Sequence, residues 1–223
     1  MTAEERSVVI RNALGVGLAV GAYGFAFGAG SVAAGLSTLQ TCLLSLLAFT
    51  GGTQFAVVGV IAAGGGVPAA LGSGLLLGSR NTLYAMRLAP LLRVRGVRRL
   101  LAALGTIDES TAMAIGQRDN ALARIAFWWT FAGVFVFWNL STLLGALAGS
   151  LIDPAACGLD AVIPAAFLAL LAPRLRAGAI ERRVALGGAV IALVLIPLTP
   201  PGVPVLASCA ALLLAGRVQV ERR

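Results

Sequence analysis

The sequence predicts an all-α, polytopic transmembrane helical bundle, on three observations. Of its 223 residues 59% are hydrophobic and only 12% are charged, half the charged share of an ordinary soluble domain. The apolar residues fall in long stretches that read as membrane spans, and the mean hydropathy is +0.94. The arginines stand at the ends of those stretches, which is the positive-inside pattern that orients helices in a bilayer. Most of the surface is therefore expected to face the lipid bilayer. The 28 glycines suit the same setting, because small residues let helices approach closely where lipid supplies no hydrophobic drive for association. The expected architecture is one integral-membrane domain over 1–223. It has about six full crossings, further broken or re-entrant helices, and both termini in the cytoplasm.

The elements follow in order. Arg6 and Arg11 precede a first apolar run over 14–34, too long for the apolar region of a signal peptide and read as a retained span. A second apolar stretch covers 39–63 and ends in the turn Gly64-Gly65-Gly66-Val67-Pro68. A third covers 69–92 and ends in the cluster Arg87, Arg93, Arg95, Arg98 and Arg99. Less apolar sequence continues to Arg124. Spans are then expected over 125–151, 159–171, 184–198 and 203–215.

Arginine placement tests this scheme. Arg6 and Arg11, the five-arginine cluster, Arg174, Arg176, Arg182 and Arg183, and Arg217, Arg222 and Arg223 should all lie inside. The loop with Asp153 and Asp160 and the turn Thr199-Pro200-Pro201-Gly202 should lie outside. The last four spans alternate cleanly. The region 39–92 does not, because two ordinary spans there would put the arginine cluster outside. It must cross an odd number of times, so one of its two stretches is expected to fold back on itself. Break points are available at Thr50-Gly51-Gly52-Thr53 and at Gly78-Ser79-Arg80-Asn81. Irregular backbone at membrane depth is tolerated where it is buried in protein or lines a cavity, and such broken helices are where transporters bind substrate.

Composition excludes several classes. All 17 basic residues are arginine against 9 acidic residues, for a net charge of +8. The arginines do not gather on one solvated face, so nucleic acid is not an expected partner. There is no histidine, and Cys42, Cys157 and Cys209 are far apart, so no metal site and no cofactor are expected. No nucleophile with a partner base is present, so the chain is not expected to be an enzyme. An aspartate-based intramembrane hydrolase would need a second buried aspartate near Asp108.

Three stretches carry candidate chemistry. At Thr50, Gly51, Gly52, Thr53 and Gln54 the glycines can unwind a helix. The half-helix that follows would present free N–H groups and a positive dipole end to a carboxylate. Tight helix packing explains the same glycines. Arg80 and Asn81, with Tyr84 and Arg87 following on the same helical face, interrupt apolar sequence. An arginine in that position should face the protein interior or a water-filled cavity, as a carboxylate clamp, an ion-pair gate or a structural ion pair. Asp108 and Glu109 lie between apolar runs. They suit a substrate ammonium or a coupling proton, or they neutralise Arg80. Thr106 with Glu109 also fits a helix capping box. Trp128 and Trp129 fit an interfacial aromatic belt, and Trp138-Asn139 fits a packing contact with an interhelical bond. Gly24 and Gly28 have helix-packing spacing.

These pieces, in this order, resemble the AzlC-type large subunit of bacterial branched-chain amino-acid exporters. The likeness rests on 21–28 (GAYGFAFG), 49–55 (FTGGTQF), 79–84 (SRNTLY) leading to 88–92 (LAPLL), 106–110 (TIDES) and 159–171 (LDAVIPAAFLALL). The resemblance implies a plasma (inner) membrane exporter of Leu, Ile, Val or Met. It also implies a separately encoded small hydrophobic AzlD-type partner, and a higher oligomer is compatible with it. The site residues remain a physical inference: Thr50 to Gln54 for the carboxylate, Asp108 or Glu109 for the ammonium or a coupling proton, Arg80 and Asn81 for gating or charge balance. A carrier or channel for another small solute, or a structural subunit, fits the composition too. A channel would show flux without saturation.

Overall fold

The structure is a computed structural model that describes residues 2–151 and 162–213. Every regular element in it is helical. The expected positions of Asp153, Cys157, Asp160, Arg217, Arg222 and Arg223 lie outside the described residues.

Among the described residues two helices are long and apolar enough to cross a bilayer, α1 (Ala3–Ala33) and α8 (Asn120–Leu151). At 1.5 Å per residue each exceeds the ~30 Å hydrocarbon layer. The sequence places the first span at 14–34, but the helix begins at Ala3. Thr2 and Glu5 form a reciprocal capping box (Glu5 N to Thr2 Oγ1 3.1 Å, Thr2 N to Glu5 Oε2 2.6 Å), which starts the helix before the apolar run does. Between these rods run α2 (Thr38–Leu47), α3 (Gly52–Ala62), α4 (Val67–Gly78), α5 (Arg80–Leu92), α6 (Val97–Leu104) and α7 (Asp108–Ile115). After them come α9 (Val162–Ala177), α10 (Ala179–Leu195) and α11 (Val203–Ser208), which passes into a 3-10 turn at Cys209–Ala211.

A glycine seam joins α1 to α8. Along α1, Gly17, Gly21, Gly24 and Gly28 meet Gly133, Phe137, Trp138 and Thr142 in that order, so the two helices run parallel. Gly145 and Gly149 of α8 return the contact against Phe25 and Ala29. A Cβ added to Gly24 would come within 2.5 Å of the Trp138 carbonyl oxygen, and one added to Gly28 would collide with the Thr142 carbonyl oxygen. Only glycine permits this backbone separation.

Because α1 and α8 are parallel, the chain between them must return from the end of α1 to the start of α8. Both glycine break points are used for this. The stretch expected over 39–63 is two helices, interrupted at 48–51. In an unbroken helix residues 44 and 54 would be roughly 15 Å apart. Instead Gln54 Nε2 donates to the carbonyls of Leu44 and Ser45 at 3.3 and 3.2 Å. The chain has therefore doubled back, and Phe55 lies against Phe27 on α1 (ring centroids 5.5 Å). The folded-back element is thus the stretch before Gly64. Helix α4 then packs antiparallel to α3, with Gly74 on Val57 and Gly78 near Thr53. Gly64 and Gly202 take left-handed backbones (φ 78° and 93°) in turns that meet each other, Gly202 resting on Val60 and Ala69. The return is completed by α5, whose end reaches the start of α8. There Arg124 Nε donates to the Leu91 carbonyl at 2.8 Å, and Leu88, Leu92 and Phe127 form one buried cluster.

The interhelical bond expected of Asn139 is present: Ser45 Oγ donates to Asn139 Oδ1 at 2.7 Å, which docks α2 on α8. Trp129 is exposed, as an interfacial residue would be, while Trp128 packs edge-on against Phe127 (5.2 Å).

Candidate functional site

The interrupted helices meet at one place. The first residues of α3, α5 and α7 surround a cavity of about 260 Å³. Its outer wall is Val20 and Tyr23 from near the middle of α1, with Val134 and Trp138 from near the middle of α8. The cavity therefore lies halfway along both membrane-length helices. It is smaller than the 300–1,000 Å³ of pockets for drug-sized ligands, so it suits a small solute.

One side of the cavity is polar. Thr50, Gly51, Gly52, Arg80, Asn81, Asp108 and Glu109 all line it, which brings together seven residues that the sequence places in three separate stretches. The antiparallel α3–α4 hairpin explains the first meeting. It sets the start of α3 beside the end of α4, so a Cβ on Gly52 would stand 3.2 Å from Arg80 Nη2. Neither α3 nor α5 has a side-chain cap. Their first N–H groups and positive dipole ends lie at the polar wall.

Asp108 is held on both oxygens. Arg80 Nη2 lies 2.7 Å from Oδ2, and the Tyr84 hydroxyl donates to Oδ1 at 2.7 Å. Tyr84 is one helical turn after Arg80, so both reach Asp108 from the same face of α5. Glu109 is different. It is half-buried at the cavity, and its carboxylate bonds only its own backbone N–H and has no ion pair among the described residues. The expected Thr106–Glu109 capping box does not form. Thr106 Oγ1 donates to Ala102 O at 2.6 Å, and the cap is made by Ser110, whose Oγ accepts from Ile107 N at 3.2 Å. Glu109 is left available to the cavity.

Several buried polar atoms of the lining residues have no hydrogen-bond partner among the described residues: Thr50 Oγ1, Arg80 Nε, Asn81 Oδ1 and Trp138 Nε1. Buried polar groups are normally satisfied, so this set marks a place for a polar guest. The other wall is apolar, made by Phe49, Phe55, Ile107 and Val134 with the ring of Trp138.

Thr53 and Gln54 are not part of the lining. Both are buried, and Gln54 ties α3 to the end of α2. We expect Gln54→Leu to take away the bond that pairs the Ser45 carbonyl and the second bond to the Leu44 carbonyl, which keeps Ala48 N, at a cost of about 1–3 kcal/mol. It should lower the thermal unfolding temperature in detergent while leaving the affinity for a solute held in the cavity within about twofold, since the residue does not reach the cavity. Tyr23, Tyr84 and Trp138 were not among the expected site residues. For Tyr84 the signal was its spacing from Arg80; for Trp138 the neighbouring asparagine drew the reading toward packing.

A solute-sized cavity between interrupted helices, at half the depth of two membrane-length rods, defines the class: an integral membrane protein with a central polar site. The chain belongs to the AzlC family, whose model, described as AzlC protein, matches residues 15–152. It is 30% identical over 195 residues to an uncharacterized membrane protein of Archaeoglobus fulgidus, covering 86% of this chain and 85% of that protein. It is 30% identical over 135 residues to the inner membrane protein YgaZ of Escherichia coli, covering 56% of this chain and 54% of that protein. No solved structure matches it.

Proposed function

We propose that this chain is the large subunit of an exporter of branched-chain amino acids, Leu, Ile and Val together with Met, working with a small hydrophobic AzlD-type subunit in the bacterial inner membrane. The observation that carries this reading is the two-ended cavity. A zwitterion fits with its carboxylate at the uncapped starts of α3 and α5 beside Arg80, its ammonium at Glu109, and an aliphatic side chain against Phe49, Phe55, Ile107 and Val134. Asp108 holds Arg80 in place and Asn81 supplies an acceptor. No catalytic step is needed from these residues. In this reading 1–223 is one transport domain with six passes: α1, the α4–α5 pair, α8, α9, α10 and the segment that begins with α11. Both termini lie in the cytoplasm, and the α2–α3 hairpin enters from the opposite side.

The test is efflux from cells preloaded with dipeptides of leucine, valine or methionine, expressing the chain with and without the small partner. Faster, saturable efflux of these amino acids is expected when both are present. No change, with both chains folded in the membrane, would remove the branched-chain assignment. Efflux that does not saturate would instead favour a channel.

A further inference from the structure

A second charged feature lies where α5 ends. The chain turns there through Arg93, the one non-glycine residue among those described with a positive φ (50°). A cleft of about 780 Å³ opens between the end of α5, α6 and the first turns of α8. Arg93, Arg95, Arg98 and Arg124 line it over an apolar floor that includes Leu92 and Trp128, and no carboxylate lines it. None of the four arginines has an ion pair among the described residues. Arg93 Nε donates to Pro90 O at 3.2 Å and Arg124 Nε to Leu91 O at 2.8 Å. Those bonds satisfy the last carbonyls of α5, the negative end of its dipole, and leave the Nη groups without partners. The side chains of Arg95 and Arg98 make no hydrogen bond among the described residues.

The surroundings point to a bilayer surface. Helix α6 exposes Val97 and Leu100, each 72% accessible, beside Arg98 and Arg99, while Ala102 is buried against the bundle. A short helix with exposed apolar residues next to arginines has the character of one that lies in the membrane interface. Arg124 and Trp128 stand in the first turns of the long apolar α8, where arginine and tryptophan mark that interface.

We propose that this cleft binds the phosphate headgroup of an anionic phospholipid, with the first turn of α6 at the interface as its rim. Guanidinium groups pair with phosphate oxygens two at a time, and four of them leave an uncompensated positive site. A lipid is favoured over free phosphate because the exposed apolar residues of α6 and the apolar floor would contact acyl chains. The site is separate from the central cavity and does not depend on what that cavity carries.

The experiment compares spin-labelled phosphatidylglycerol with spin-labelled phosphatidylcholine, each at trace level around the full chain in nanodiscs, and reads the immobilised fraction. The wild type should prefer phosphatidylglycerol by about fivefold at low ionic strength, with the preference shrinking as salt is raised. Arg95→Gln with Arg98→Gln and Arg124→Gln should bring the two lipids near parity. If that variant does not insert, the double variant Arg95→Gln with Arg98→Gln carries the test, because those side chains bond no backbone; lysine at the same positions should keep the preference. Equal association of both lipids with the wild type, or an unchanged preference in the double variant, would overturn the proposal. In phosphatidylcholine nanodiscs, thermal stabilisation by inorganic phosphate alone, lost in the same variants, would assign the cleft to free phosphate and overturn the lipid. Absence of that stabilisation supports the lipid.

Discussion

Glu109→Gln is expected to lower efflux by between about 10- and 100-fold, the cost of losing one hydrogen bond to a charged group in a water-poor site. Its thermal unfolding temperature should stay within a few degrees of the wild type. The reason is that the Glu109 carboxylate bonds no other described residue, so removing its charge takes away chiefly what it offers a guest. Asp108→Asn should show the opposite balance. It removes the negative charge and leaves one acceptor oxygen where two now serve Arg80 Nη2 and the Tyr84 hydroxyl, so a guanidinium stands uncompensated between apolar segments. Its main effect should be on stability, with efflux per folded molecule falling less than in Glu109→Gln. Efflux normalised to membrane-inserted protein, with unfolding followed on the same samples, separates the two. Equal losses of efflux per folded molecule in both variants would mean that the two acids act as one unit.

Gly28→Val should leave little or no folded protein in the membrane. The new Cβ would collide with the Thr142 carbonyl oxygen and come within 2.7 Å of Ala146 N. Backbone atoms cannot rotate away as a flexible side chain can, so α1 and α8 would have to part along their length. Overpacking costs about 1–3 kcal/mol where side chains can adjust, and here ~3 kcal/mol or more is expected. The seam would also carry Val20 and Tyr23 away from Val134 and Trp138, opening the cavity. Gly15→Val is the matched control, because nothing lies within 4 Å of a Cβ there. Membrane-inserted yield and unfolding temperature should fall for Gly28→Val and not for Gly15→Val.

Much of this arrangement was legible in the sequence. The sequence offers two glycine-containing breaks within 39–92, and the helices are interrupted at both. Arg80 between apolar runs called for a carboxylate partner, and Asp108 is that partner. Other features depend on distances that one-dimensional order does not carry. Asp108 and Glu109 are consecutive, so on a helix they diverge by about 100°, and only the docking of α7 on α5 decides which of them meets Arg80. Gln54 looked like a binding residue because it follows the glycine break. Its amide is instead bonded to the end of α2, which a reader of the sequence has no reason to place there until the hairpin is closed. The helix α1 starts eleven residues before the apolar run, because apolar length marks the bilayer and a capping box marks the helix.

The most direct test of the two-ended cavity is a binding comparison on purified protein, with its small partner present, between leucine, leucine amide and 4-methyl-2-oxopentanoate. The amide keeps the ammonium and loses the carboxylate charge; the oxo acid keeps the carboxylate and loses the ammonium. Leucine should bind at least about tenfold more tightly than either, and Glu109→Gln should remove its advantage over the oxo acid alone. Equal binding of leucine and the oxo acid by the wild type would contradict the assignment of Glu109 to the ammonium and with it the proposed reading of the site.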